Sequence, residues 1–296
     1  MHKPITSKRH HWWPRSLSSF WADPNGFVTQ LAWNGNSICE PPGHFGAINN
    51  AHNIKIADAP TAWDESFESA FDNADGWFPD IIEWLLTLEA THKSSDATLE
   101  DRLESQMAPA ETLDKLATCI ISLIVRSPRF RNSVSSAVGY YRDQIGLAKV
   151  KPVDAVIGLN MRECQQRFAR ALAGRGKFAV LFTNSREFIF GDGFFQNFSS
   201  TTARPLFPRC LVPLTPKLCV LYAKPLSYRM DPRLVTVQLT PDEVTFVNRT
   251  MQIYSGSFLF YRAERPDLIA DFSRHEFGQY SGDTWIDRLI DAVTNA

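Results

Sequence analysis

Leu234-Val235-Thr236-Val237-Gln238-Leu239 runs without a break into Thr240-Pro241-Asp242-Glu243-Val244. The first six residues are mostly apolar or β-branched, the composition of a buried strand. Thr240 can accept from the backbone N–H of Glu243, and the Glu243 carboxylate can reach back to the Thr240 N–H. Pro241 suits the first helical position, so the strand hands over directly to a capped helix. Val244, Val247, Met251, Tyr254 and Phe258 then fall on one face, which predicts a helix from Thr240 to Phe258 packed on a sheet.

Upstream of this junction, Leu211–Leu214 and Leu218–Ala223 flank a Thr215-Pro216-Lys217 turn. Phe178–Thr183 reads as a buried strand, with Glu187–Phe190 as its partner across Asn184-Ser185. Downstream, a helix is expected from Thr284 to Val293. The zone 177–296 is therefore β-rich with two helices. The zone 61–173 has helical spacing: Trp63, Phe67, Ala70 and Phe71, then Ile81, Trp84, Leu85 and Leu88 after a start at Pro79. Further helices are expected over Ala110–Val125, from Pro128 to Ile145, and from Met161 to a stop at Gly174. The zone 10–59 carries Phe27–Trp33 between Pro24-Asn25-Gly26 and Asn34-Gly35-Asn36, a hairpin pattern. Strands and helices come in runs, without strict βαβ alternation. The expected fold class is α+β: one unit over 1–296, its mixed or antiparallel sheet built from the N- and C-terminal zones, with a large helical insertion.

Composition narrows the partners. The formal net charge is −1 over 296 residues, so no overall basic excess marks a nucleic-acid binder. The 21 Phe and 8 Trp need a core or a pocket. No apolar run is long enough to span a bilayer, and the first residues lack a leader pattern. Cys39, Cys119, Cys164, Cys210 and Cys219 are odd in number and widely spaced, which fits reduced thiols. A cytoplasmic protein without membrane contact is expected. Phosphate loops, dinucleotide fingerprints, GxSxG elbows and HExxH pairs are all lacking, which disfavours the enzymes that use them.

Three stretches carry groups suited to chemistry. His10-His11-Trp12-Trp13-Pro14-Arg15 joins histidine to stacking rings and a cation; an ordered strand with aromatic anchors is the plainer alternative. Gly191-Asp192-Gly193 follows Phe188-Ile189-Phe190, where a carboxylate could bind a metal or activate water, or simply make a turn. Asn248-Arg249 lies in the capped helix, with the Asn248 amide beside the buried face. Arginines and lysines recur from Arg126 to Lys177 and could meet phosphate, or form a solvated face.

These stretches also resemble, in order, the elements of the DUF4238 family, a mainly bacterial group with no assigned activity. His11-Trp12-Trp13-Pro14 with Leu17 and Phe20 is similar to its His-x-x-Pro start, one residue short before the Leu. Asp192 matches the Asp of its turn, Val212-Pro213-Leu214-Thr215-Pro216 its Pro-Leu-Ser-Pro lead, and Val247-Asn248-Arg249 its Asn-bearing helix. The resemblance implies organisation and candidate residues rather than a reaction.

The residues themselves suggest a metal-assisted hydrolase of phosphodiester or nucleotide substrates. In it, His11 is base or ligand, Asp192 the carboxylate for a divalent metal ion, and Asn248 a positioning amide. Trp12, Trp13, Arg15 and Arg249 contact substrate, and a nucleic acid or nucleotide is the partner. A binding or protein-interaction module without chemistry is the alternative. The first reading requires His11 and Asp192 to share one concave site, and predicts that Asp192→Ala leaves the fold intact.

Overall fold

The computed structural model describes residues 9–54, 65–88, 97–144, 154–198, 207–280 and 284–296. Trp63, named above, lies outside them, as does the stretch Lys93–Ala97 up to residue 96, which its polar sequence marks as a loop. The fold is α+β, with mixed and antiparallel sheets.

The N-terminal zone holds β1 (Arg9–His11), the short helix α1 (Arg15–Ser18), β2 (Val28–Ala32), β3 (Ser37–Glu40), β4 (Ala47–Asn49) and β5 (Asn53–Ile54). The expected hairpin forms: β2 and β3 pair antiparallel, and Gly35 turns the chain with φ of 85°.

The helical zone is not purely helical. β6 (Glu65–Ser66) pairs with β5 where a helix was expected, and Phe67–Phe71 continue as a 3₁₀ turn. Next comes α2 (Asp72–Leu86). Pro79 lies inside α2 rather than at its start, because the helix already runs from Asp72 and loses one backbone bond at the proline. α3 (Leu99–Arg102) and β7 (Glu104–Gln106) follow. α4 (Ala110–Arg126) is buried along most of its length, as its apolar sequence requires. α5 (Pro128–Gln144) begins at the expected proline, and α6 (Asp154–Leu172) starts a turn or two before Met161 and stops before Gly174.

The C-terminal zone contributes β8 (Lys177–Phe182), β9 (Phe190–Gly191), β10 (Phe195–Gln196), β11 (Arg209–Thr215), β12 (Leu218–Ala223) and β13 (Leu234–Gln238). It ends with α7 (Pro241–Tyr254), β14 (Phe258–Tyr261), α8 (Ala270–Ser273) and α9 (Trp285–Asn295). The capping box of α7 is present: the Thr240 hydroxyl accepts from the Glu243 N–H, and Glu243 accepts from the Thr240 N–H at 2.9 Å. The helix stops at Tyr254, however, and Phe258 belongs to β14.

Two sheets organise the chain. A six-stranded sheet runs β10-β11-β12-β8-β13-β7, with β8 and β13 parallel and its other pairs antiparallel. A four-stranded antiparallel sheet runs β3-β2-β14-β9 and joins the two ends of the chain. Here the expected pairing of Phe178–Thr183 with Glu187–Phe190 fails. The chain after β8 crosses to the second sheet, so β8 pairs with β12 and β13 while Phe190 pairs with Phe260.

The two ends also meet through aromatic rings. Trp13 stacks on Phe190 at 4.6 Å and lies 4.4 Å from Phe260, and Trp21 donates its indole N–H to the Leu214 carbonyl at 3.0 Å. The five cysteines are free thiols. Among the described residues, no helix is long and apolar enough to cross a membrane.

Candidate functional site

The residues singled out in the sequence do not gather at one place. Asp192 is buried, 1% exposed, and its carboxylate accepts three backbone N–H groups: Gly256 at 2.8 Å, Ser257 at 2.9 Å and Phe258 at 3.3 Å. These are the first residues past the end of α7, so Asp192 clamps the turn from α7 into β14. The flanking glycines have their own reason. A Cβ at Gly191 would lie 2.0 Å from Ser255 Oγ, and one at Gly193 would lie 2.1 Å from the Tyr254 carbonyl oxygen. Gly-Asp-Gly is thus dictated by the close approach of this turn to the end of α7. The metal and catalytic roles expected of Asp192 have no support in this geometry, since its oxygens are already committed to backbone donors.

Burial pushes the Asp192 carboxyl up to about 6, against the pull of the three N–H groups. Its unfolded value is about 3.9. The folded protein therefore holds this proton more tightly than the unfolded chain does. The part of its stabilisation that comes from holding this proton is full below about pH 4 and is lost as pH rises through about 6, while the carboxylate still accepts the three N–H groups. Denaturation of the wild type and Asp192→Asn across pH 4–7 tests this. The wild-type unfolding free energy should fall more steeply with pH; parallel curves would contradict the assignment.

Asn248 is also a structural clamp. Its Oδ1 accepts the Ile189 N–H at 3.0 Å, and its Nδ2 donates to the Glu187 carbonyl at 2.8 Å. Both ends of the amide are engaged, so Asn248 fixes the chain leading into β9 rather than positioning a substrate. Arg249 is exposed beside it, on a separate cavity of about 280 Å³. Trp12 and Trp13 are core residues, 4% and 0% exposed, and they do not line the cavity that His11 lines. Burying two such large rings against Phe190 and Phe260 outweighs any gain from leaving them on a pocket wall.

His11 and Arg15 do face a cavity, of about 340 Å³, together with Ser16, His52, Glu68, Phe71, Asp75 and Arg126. Strand alternation in β1 turns His10 inward and leaves His11 half-buried, where Nε2 lies 3.4 Å from the Gly43 carbonyl. The His52 backbone N–H donates to His10 Nδ1 at 3.1 Å. That bond needs a lone pair on Nδ1, so neutral His10 carries its proton on Nε2, 3.6 Å from Glu68 Oε2. The His10 and His52 rings stack at 4.9 Å.

His52 sits between these groups and Phe71, whose other neighbour is the Arg126 guanidinium, 4.7 Å from the ring. Arg126 holds Asp75 in a two-pronged ion pair at 2.7 and 3.0 Å and also donates to Ser122. His52 is 2% exposed and neither ring nitrogen has a hydrogen-bond partner; the buried Ser16 Oγ has none either. Burial, reinforced by Arg126, holds the His52 imidazole down to about 2. It is neutral at physiological pH, offering one N–H and one lone pair. Burial lowers His10 as well.

His52, Ser16, Glu68 and Asp75 were missed in the sequence, and Arg126 was read only as part of a basic stretch. One signal was available for Arg126. It closes the apolar run Cys119–Val125 on a buried helix, so its charge had to meet a carboxylate. Among the described residues, no three His, Cys, Asp or Glu side chains are grouped to hold a metal ion.

The basic stretch of the helical zone divides: Arg126 lines the histidine cavity, and Arg167, Arg170 and Arg175 lie elsewhere. α4 and α6 pack together, and the Gly174 N–H, just past α6, donates to Asp114 near the start of α4. The other end of α4 carries Arg126. From Asp114 to Arg126 is twelve residues of α4, so the end of α6 lies roughly 18 Å along that helix from the histidine cavity. Comparison of the chain with family models, with curated proteins and with solved structures finds no match.

Proposed function

We propose that this chain is a small-molecule-binding protein, and that the histidine cavity is its site. The observation that carries the reading is His52: a buried imidazole on a cavity wall with neither ring nitrogen bonded. Buried polar groups are almost always satisfied, so three unpartnered atoms on one wall, two on His52 and one on Ser16, call for an occupant. An imidazole that protonates only near pH 2 is a poor base at neutral pH and a good hydrogen-bonding group. This favours recognition over proton transfer.

The charged side chains on the wall balance: Arg15 and Arg126 against Glu68 and Asp75. A net-neutral ligand carrying both signs fits this wall, and a free amino acid is the simplest example. The volume is of the size that holds small ligands. The resemblance to the DUF4238 family lends support in one respect, because its His-x-x-Pro start corresponds here to His11–Pro14, and both of those residues line the cavity. The hydrolase reading would keep His11 but needs new partners in place of Asp192 and Asn248.

Thermal unfolding with each free amino acid in turn tests the proposal. A ligand at a hundred times its Kd should raise Tm by about 5 °C. Ser16→Ala, which removes one oxygen from a half-buried site, should reduce that shift without lowering the unliganded Tm by more than about 1 °C. No shift with any amino acid would remove this ligand class. An equal shift in Ser16→Ala and His52→Gln would place binding elsewhere.

A further inference from the structure

We propose a second binding site, for a small ligand carrying two or more adjacent phosphates, in the cavity at the end of α6. Its volume is about 610 Å³, and the described lining includes Arg167, Arg170, Arg175 and Lys224, with Glu163 and Gln166. The wall therefore carries four cations and one carboxylate. None of the four cations makes an ion pair with another described residue. Like charges three apart on one helix face repel, as Arg167 and Arg170 must, and an anion between them relieves that repulsion.

Cations near the end of a helix also complement its dipole, which would account for Arg170 and Arg175 alone. It does not account for Lys224, which follows the last residue of β12 and lines the same cavity. Nor is Arg175 loosely placed. It stands between Gly174 and Gly176, both in the left-handed region at φ of 67° and 71°, and its carbonyl accepts from the Tyr222 hydroxyl at 3.1 Å. A Cβ at Gly176 would lie 2.4 Å from that hydroxyl oxygen, so the turn is built to hold Arg175 where it is. Arginine forks and a lysine point charge are the groups that bind phosphate oxygens.

The described lining contains no aromatic ring on which a base could stack. The site is also a concavity at one helix end. Both features favour a compact phosphate chain over an extended nucleic-acid strand. Glu163 and Gln166 supply an acceptor and an amide for hydroxyl groups beside the phosphates. This site stands apart from the histidine cavity, and its test does not depend on that one.

Calorimetric titration of the full chain with sodium tripolyphosphate, adenosine triphosphate, adenosine and a twelve-nucleotide single strand tests the proposal. Tripolyphosphate should bind and adenosine should not. Equal affinity for adenosine triphosphate would identify a free phosphate chain as the ligand, and tighter binding a nucleotide; either result supports the site. Arg167→Gln/Arg170→Gln should weaken tripolyphosphate binding at least tenfold, and Lys224→Gln severalfold. Unchanged binding in both variants would overturn the assignment. So would a single strand that binds more tightly than tripolyphosphate, since that marks an extended surface instead.

Discussion

Asp192→Ala should lower the unfolding free energy by about 4 kcal/mol at pH 7, measured by denaturant titration. The carboxylate is the acceptor for Gly256, Ser257 and Phe258 N–H groups, in a place that is 1% exposed. Alanine leaves these donors without a partner and opens a small void. The turn from α7 into β14 would lose its only charged acceptor among those contacts, and β14 is the strand that joins β2 to β9. This reverses the expectation drawn from the sequence, that Asp192→Ala leaves the fold intact. A loss below about 1 kcal/mol would show that water replaces the carboxylate and that the clamp is weak.

Arg102→Met should cost about 3–5 kcal/mol, and Arg102→Met combined with Glu243→Leu should recover most of that loss. Arg102 and Glu243 form a two-pronged ion pair with both side chains largely buried, and Arg102 also donates to the Gln238 carbonyl at 2.9 Å. The single substitution leaves Glu243 as an unpaired charge in the interior. The double substitution removes both charges and gives up the return bond of the α7 capping box and the Arg102 bond to the Gln238 carbonyl, each worth about 1 kcal/mol. A double variant as unstable as the single one would show that the pair's geometry, rather than the stranded charge, holds α3 and β7 to the sheet.

Several features that depend on local backbone chemistry were readable in the sequence, although Pro79 proved to lie inside α2 and not at its start. The α7 cap at Thr240 and Glu243, the turn at Gly35, the hairpin around Pro216 and the start of α5 at Pro128 all follow from neighbours a few residues apart. The failures that changed the topology depended on partners far away. Glu187–Phe190 looks like any strand after a turn, yet Asn248, about 60 residues on, holds its backbone and directs Phe190 to the second sheet. Gly191 and Gly193 look like a flexible turn because nothing nearby shows that Ser255 and Tyr254 press against them. The candidate site divides in the same way. His11 and Arg15 stand in a conspicuous motif, while His52 and Glu68 are brought together by the pairing of β5 with β6, and Asp75 and Arg126 by the packing of α2 on α4.

The four-stranded sheet has a consequence for the order of events during synthesis. Gln30 in β2 lies opposite Phe260 in β14, so the N-terminal hairpin must wait for some 230 further residues before its open side is covered. At ribosomal speeds of about 5–20 residues per second that interval is of the order of ten seconds or more. Throughout it, Val28 and Leu31, which end wholly buried, have only local chain to shelter them. The closing of β14 onto β2 is therefore a late, sequence-distant step.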